Sequence, residues 1–287
     1  MAGADRAAQH LQGAALGRSE LKMRIASAAV LAPLALAAAY FGSLAIVLVC
    51  AAVAIGIWWE WAALSADRAP RVVAVGAGVL AAATLLVANG WIGVGVACLA
   101  AGALAVAACA DGRGWARAWI AAGVPYAGVM LVAPVVLRGD PGYGFFAICF
   151  LFAVVWSTDV AAYFAGRAIG GAKLAPRLSP NKTWAGALAG AGGAVIAAVS
   201  LAAATGLGRL PAIATVALGL SIASQAGDLF ESAFKRWYGA KDAGRLIPGH
   251  GGLMDRLDGF IAAALAAVVV GLVRGGPEAP ARGLFLW

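Results

Sequence analysis

Stretches of about 17–25 predominantly apolar residues, the length of helix needed to cross a bilayer, recur along the whole chain. They cover 25–41, 44–64, 72–88, 91–110, 119–137, 143–165, 184–205, 210–225 and 257–273. In hydrocarbon a backbone must satisfy its own hydrogen bonds, so such a chain folds as a bundle of membrane helices. The expected fold is an all-α integral membrane protein with about nine transmembrane helices. Hydrophobic residues make up 63% of the chain and charged residues only 12%, whereas soluble domains are about half apolar. No stretch is long or polar enough for a soluble domain. The expected organisation is an N-terminal extension (1–20), one polytopic membrane domain (21–275) and a short C-terminal tail (276–287). The eighth stretch is short and is expected to run on into the polar residues after it as one long helix. Arg18, Lys22 and Arg24 before the first stretch give it the look of a signal peptide, but eight further apolar segments favour an uncleaved first span.

Basic residues set the orientation. With the N-terminus cytosolic and the C-terminus outside, 17 of the 21 Lys and Arg fall in cytosolic segments, leaving Arg138, Arg209, Arg274 and Arg282 opposite. That is the asymmetry of the positive-inside rule. The net charge of +8 then reflects topology and contact with anionic membrane lipids, not nucleic acid. The expected location is the cytoplasmic (inner) membrane. Cys50, Cys98, Cys109 and Cys149 all sit in apolar spans without metal-ligand spacing and are read as packing residues. Gly186-x-x-x-Gly190 suits close helix packing in lipid.

Two segments carry polar chemistry. In 156–186, Asp159 lies inside an apolar span, where an ionisable group is costly enough to suggest function. Asp159, Tyr163 and Arg167 are four residues apart and share a helical face; a structural Asp159–Arg167 relay is the alternative reading. Downstream, Ser179-Pro180 interrupts any helix, and Asn181, Lys182 and Thr183 precede the next span, where free N–H groups and Lys182 suit an anion. The bland alternative is a positive-inside loop with an ordinary helix start.

The segment 227–259 packs five acids and five bases into this nearly uncharged chain. Asp228, Glu231, Ser232 and Lys235 fall at i, i+3, i+4 and i+7, one face of the extended eighth helix. The turn around Pro248-Gly249-His250-Gly251-Gly252 is small enough for a backbone to approach phosphate. Asp255 and Asp258 open the last span on a shared face. Carboxylates so placed, backed by another from a neighbouring helix, suit Mg²⁺, which keeps waters and shares substrate phosphates. Solvated ion pairs at the membrane surface are the competing reading.

Ser232-Ala-Phe-Lys235-Arg236, Lys241-Asp242-Ala-Gly244, Ile247-Pro248-Gly-His250-Gly251-Gly252 and Asp255-Arg256-Leu-Asp258 together resemble the signature of the phosphatidate cytidylyltransferases (CDP-diacylglycerol synthases). Asp159-x-x-x-Tyr163-x-x-Gly166-Arg167 and Ser179-Pro180-x-Lys182-Thr183-x-x-Gly186 are similar to upstream motifs of the same family. The resemblance spans about residues 20–275. Asn181 and Ala185 depart from its commonest form, where Lys and Glu are frequent, and neither is assigned a role.

The resemblance implies transfer of CMP from CTP to phosphatidate, giving CDP-diacylglycerol and pyrophosphate at the cytosolic face. The catalytic residues it implies are Asp228, Lys235, Arg236, Lys241, Asp242, His250, Asp255, Arg256 and Asp258, with Asp228, Asp255 and Asp258 on Mg²⁺. A monovalent ion beside it, and a homodimer, are compatible with the family. The implied substrate-binding residues are Asp159, Tyr163, Arg167, Ser179, Lys182, Thr183, Glu231, Ser232, Gly251 and Gly252. His250 is read evenly as a phosphate contact or proton donor and as a residue that orders the turn. The chemistry suits the residues: a phosphate monoester has its second pKa near about 6, so the nucleophile is already anionic. What it needs is neutralisation of two approaching anions and of the departing pyrophosphate. A CDP-alcohol phosphotransferase would continue past Asp258-Gly259 with an Arg and further Asp, but Phe260-Ile261-Ala262-Ala263 follow here. An ion-coupled transporter would place its charges near the midplane of broken helices; most charges here cluster at one face. A CTP-dependent lipid-alcohol kinase is separated from the cytidylyltransferases only by the length of the signature.

Overall fold

The structure, a computed structural model, describes residues 29–66, 68–244, 246–247 and 251–286. The expected extension 1–20, Arg245 and His250 lie outside the described residues. Each apolar stretch falls on one helix: α1 (Ala29–Phe41), α2 (Ser43–Ser65), α3 (Pro70–Ala88), α4 (Ile92–Cys109), α5 (Trp115–Arg138), α6 (Gly144–Ile169), α7 (Trp184–Thr205), α8 (Leu210–Trp237) and α9 (Met254–Gly275). Among the described residues, α2 to α9 are long and apolar enough to cross a membrane, whereas α1 is apolar but shorter. The eighth stretch does run on: α8 is one helix of 28 residues. Two elements were not expected. A hairpin of β1 (Lys173–Ala175) and β2 (Ser179–Thr183) joins α6 to α7, and a single helical turn, α10 (Arg282–Phe285), sits in the C-terminal tail.

Side-chain hydrogen bonds tie the connections together at two opposite ends of the bundle. At one end, Arg138 at the close of α5 donates from Nε to Ala39 O (2.5 Å) and from Nη2 to Tyr40 O (3.0 Å). This secures the turn between α1 and α2, where Gly42 adopts φ 60°. Asp140 accepts from Gly142 N and Tyr143 N with one oxygen and from Arg282 N with the other, which draws the tail onto the α5–α6 loop. The connections rich in Lys and Arg lie at the other end.

Small residues let helices approach. Along α7, a Cβ on Gly186 would stand 2.8 Å from Ala162 O, and one on Gly190 would stand 2.9 Å from Thr158 O. The expected glycine face is therefore the contact between α7 and α6, packed backbone to backbone as in lipid-embedded helices. A Cβ on Gly227 would lie 2.6 Å from Asp258 O, so α8 and α9 meet where each carries its acids. Beneath the charged end the bundle is filled by aromatics. Trp61 stacks on Phe234 at 3.8 Å between centroids and donates from Nε1 to Trp119 O (2.9 Å). Tyr126 and Phe230 pack around the same ring.

Candidate active site

At the charged end, α6, α7, α8, α9 and the hairpin enclose a cavity of about 800 Å³. From α6 it receives Asp159, Tyr163 and Arg167, the expected shared face, and Arg167 Nη1 donates to Tyr163 Oη at 3.0 Å. The hairpin brings Asn181, Lys182 and Thr183 to the opposite wall. β2 ends directly in α7, whose N-cap is Thr183: its hydroxyl accepts from Gly186 N at 3.1 Å. Pro180 cannot continue a helix, and the strand geometry it tolerates carries Lys182 over the cavity, where its ammonium pairs with Asp228.

The long α8 contributes Gln225, Asp228, Glu231 and Lys235, and α9 contributes Asp255, Arg256 and Asp258. Glu231 is 1% exposed. Lys235 Nζ lies 2.6 Å from Glu231 Oε2 and 2.5 Å from Asp255 Oδ1, bridging the two helices. Deeper in the bundle, Thr158 and Ser221 share a buried hydroxyl–hydroxyl hydrogen bond of 2.8 Å, and Gln225 donates to Ser221 Oγ and Ala187 O. These polar residues were not singled out from the sequence. Ser221 and Gln225 continue the polar stripe of Asp228 and Lys235 one helical turn at a time, and that continuity is the signal that marks them.

The turn before α9 is closed by a two-way bridge, Ile247 N to Gly251 O (3.0 Å) and Gly251 N to Ile247 O (3.2 Å). Asp255 holds it: Oδ2 accepts from Gly252 N (3.1 Å) and Ala243 N (3.0 Å). A residue unmarked in the sequence reading joins it from α2. Glu60, 1% exposed, accepts from Leu253 N (3.0 Å) and Met254 N (2.8 Å). Its signal was an acid inside the apolar stretch 44–64.

Several expected residues stand outside the cavity lining. Arg236 is turned to the hairpin and to its own helix end, donating to Leu178 O (3.5 Å) and Ala240 O (3.2 Å). Lys241 and Asp242 are exposed, and Ser179, Ser232, Gly251 and Gly252 do not line the cavity. Among the described residues no three Asp, Glu, His or Cys side chains converge tightly enough to hold a cation alone. Asp228 and Asp258, brought together by the Gly227 contact, offer hard carboxylate oxygens to one space. That donor set fits an ion such as Mg²⁺, which completes its shell with waters and substrate phosphates. Asp255, the third expected ligand, is engaged by Lys235 on Oδ1 and by the Ala243 and Gly252 amides on Oδ2.

The cytidylyltransferase family matches residues 22–273. A phosphatidate cytidylyltransferase of Brucella suis is 44% identical over 274 residues, 93% of this chain and 99% of that protein. One from Brucella abortus is 44% identical over 267 residues, 91% of this chain and 96% of its own length. One from Bacillus subtilis is 44% identical over 129 residues, 44% of this chain and 47% of that protein. With the match running through all the membrane helices and both polar segments, the chain belongs to the cytidylyltransferase family.

Proposed function

We propose that this protein transfers CMP from CTP to phosphatidate, yielding CDP-diacylglycerol and pyrophosphate at the cytosolic face of the cytoplasmic membrane. The observation that carries this reading is the single cavity in which Asp159, Asp228 and Asp258 stand among Lys182, Arg167 and Arg256 at the charged end of a membrane bundle. In the reaction a phosphatidate oxygen forms a bond to the α-phosphorus of CTP, and the bond from that phosphorus to the β-phosphate bridging oxygen breaks. The attacking phosphate is already anionic at neutral pH, so the residues act on charge and position rather than by taking a strong base's role.

Lys182 exchanges its pairing with Asp228 for the incoming triphosphate, and Arg167, held by Tyr163, meets phosphate from the α6 wall. Arg256 neutralises charge building on the leaving pyrophosphate. Asp228 and Asp258 would hold a divalent cation, Mg²⁺, which supplies charge neutralisation on the triphosphate when bound. Purified protein in detergent, given phosphatidate, labelled CTP and Mg²⁺, is expected to form CDP-lipid and pyrophosphate, and chelation of the cation to stop it. A phosphorylated lipid alcohol with CDP as the by-product would replace this reading with a lipid kinase.

A further inference from the structure

Glu60 is a buried acid on α2, a helix that contributes nothing to the cavity lining. Each of its carboxylate oxygens takes one backbone amide from the entry to α9, Leu253 N on Oε1 and Met254 N on Oε2. These are among the N-terminal amides that a helix leaves without partners of its own, at the end where the helix dipole favours a negative charge. The cap thus comes from a helix 193 residues away in sequence.

The surroundings are shaped around this contact. One turn before Glu60, a Cβ on Gly56 would stand 2.7 Å from Leu253 Cδ2, so α2 closes directly on the turn. A Cβ on Gly252 would stand 3.0 Å from Glu60 Oε2 and 2.6 Å from Asp255 Oδ2. A Cβ on Gly244 would collide with the Glu60 carboxylate. Two carboxylates, from α2 and from α9, therefore converge on one glycine-bearing turn and hold four consecutive or facing amides between them: Ala243, Gly252, Leu253 and Met254.

The first two turns of α9 begin at this grip and carry Asp255, Arg256 and Asp258 into the cavity. We propose that Glu60 is a positioning residue for the phosphate-handling side of the active site, fixing the start and rotation of α9 without touching substrate. This rests on the reading above that those α9 residues meet the CTP phosphates. It places the effect of Glu60 on the nucleotide and not on the lipid. A carboxylate is needed because both oxygens accept; an amide of the same shape turns an NH₂ group toward one of the two N–H groups and loses that bond.

The test compares full-length protein, purified in detergent, as wild type, Glu60→Gln, Glu60→Ala and Leu80→Val, the last a trim of a fully buried α3 side chain remote from the turn. Glu60→Gln is expected to lower kcat/KM for CTP by about tenfold or more while KM for phosphatidate stays within about twofold, with Glu60→Ala more severe. Hydrogen exchange of the 251–256 peptide should quicken in Glu60→Gln while exchange in α3 and α4 stays as in wild type. If Glu60→Ala does not fold, Glu60→Gln carries the test alone. Unchanged CTP kinetics in Glu60→Gln, or a loss shared equally by both substrates and matched by Leu80→Val at the same Tm, would overturn the proposal. A wild-type protein that forms no CDP-lipid would defeat the functional reading instead, and the exchange measurement would still decide whether Glu60 holds the turn.

Discussion

Lys182 and Lys235 both neutralise acids of the cavity, but their surroundings assign them different work. Lys182 and Asp228 have side chains 26% and 37% exposed, an open pair that an arriving triphosphate can enter. Lys235 is 13% exposed between Glu231 and Asp255, and withdrawing it would leave two poorly solvated carboxylates facing each other, a heavy penalty away from water. Lys182→Ala is therefore expected to lower kcat/KM for CTP by about tenfold or more, equivalent to about 1.4 kcal/mol of transition-state stabilisation, with Tm nearly unchanged. Arg113→Ala removes an equal charge from an exposed site on a connection that carries no motif and should change little. Equal small effects at both positions in steady-state assays would reduce Lys182 to a topology signal. The residues legible in the sequence, Asp159, Lys182, Asp228 and Asp258, are those whose charge recurs at helical spacing or beside a helix break. Glu60 carries the same cost in an apolar span but stands alone there, so nothing in its neighbourhood marks a face. Arg236, Lys241 and Asp242 share the charged segment, yet membership of a segment does not say which way a side chain turns where a helix ends, and α8 ends at Trp237.

At the scale of elements, the helices were legible because bilayer thickness fixes their length, and the hairpin was not. Its strands are three and five residues long, with Pro176 and Pro180 in and between them, too short to show a two-residue period and proline-rich enough to read as loop. The site depends less on these boundaries than on how closely α8 and α9 pack. Gly227 has no room for a Cβ against Asp258 O, whereas Gly219, two turns earlier on the same helix, has nothing within 4 Å. Gly227→Ala is expected to push α9 away, separating Asp258 from Asp228, and to lower both Tm and turnover; overpacking of this kind typically costs about 1–3 kcal/mol. Gly219→Ala should leave both as in wild type. A Gly227→Ala protein with wild-type melting and turnover would show that the contact between these helices does not set the site.

For the molecule as a whole, the two ends of the bundle differ in kind. One is closed by hydrogen bonds that Arg138 donates to the α1–α2 turn and that Asp140 accepts from the C-terminal tail, and the other holds the hairpin, the glycine-bearing turn and the cavity. Helix packing alone carries no orientation, but the cavity end holds the connections with most of the Lys and Arg, so the positive-inside rule leads to the expectation that this end faces the cytosol, the side proposed above for CTP. Arg177 in the hairpin and Glu278 in the tail are both exposed and lie at opposite ends. In a background with Cys50, Cys98, Cys109 and Cys149 replaced, Glu278→Cys should react with a membrane-impermeant maleimide in intact spheroplasts. Arg177→Cys should react only once the inner face is opened, as in inverted vesicles. The reverse pattern would place the cavity outside the cell, away from its nucleotide. Labelling of both from one side would mean an odd number of spans has been miscounted between β1 and the tail, where α7, α8 and α9 now supply three.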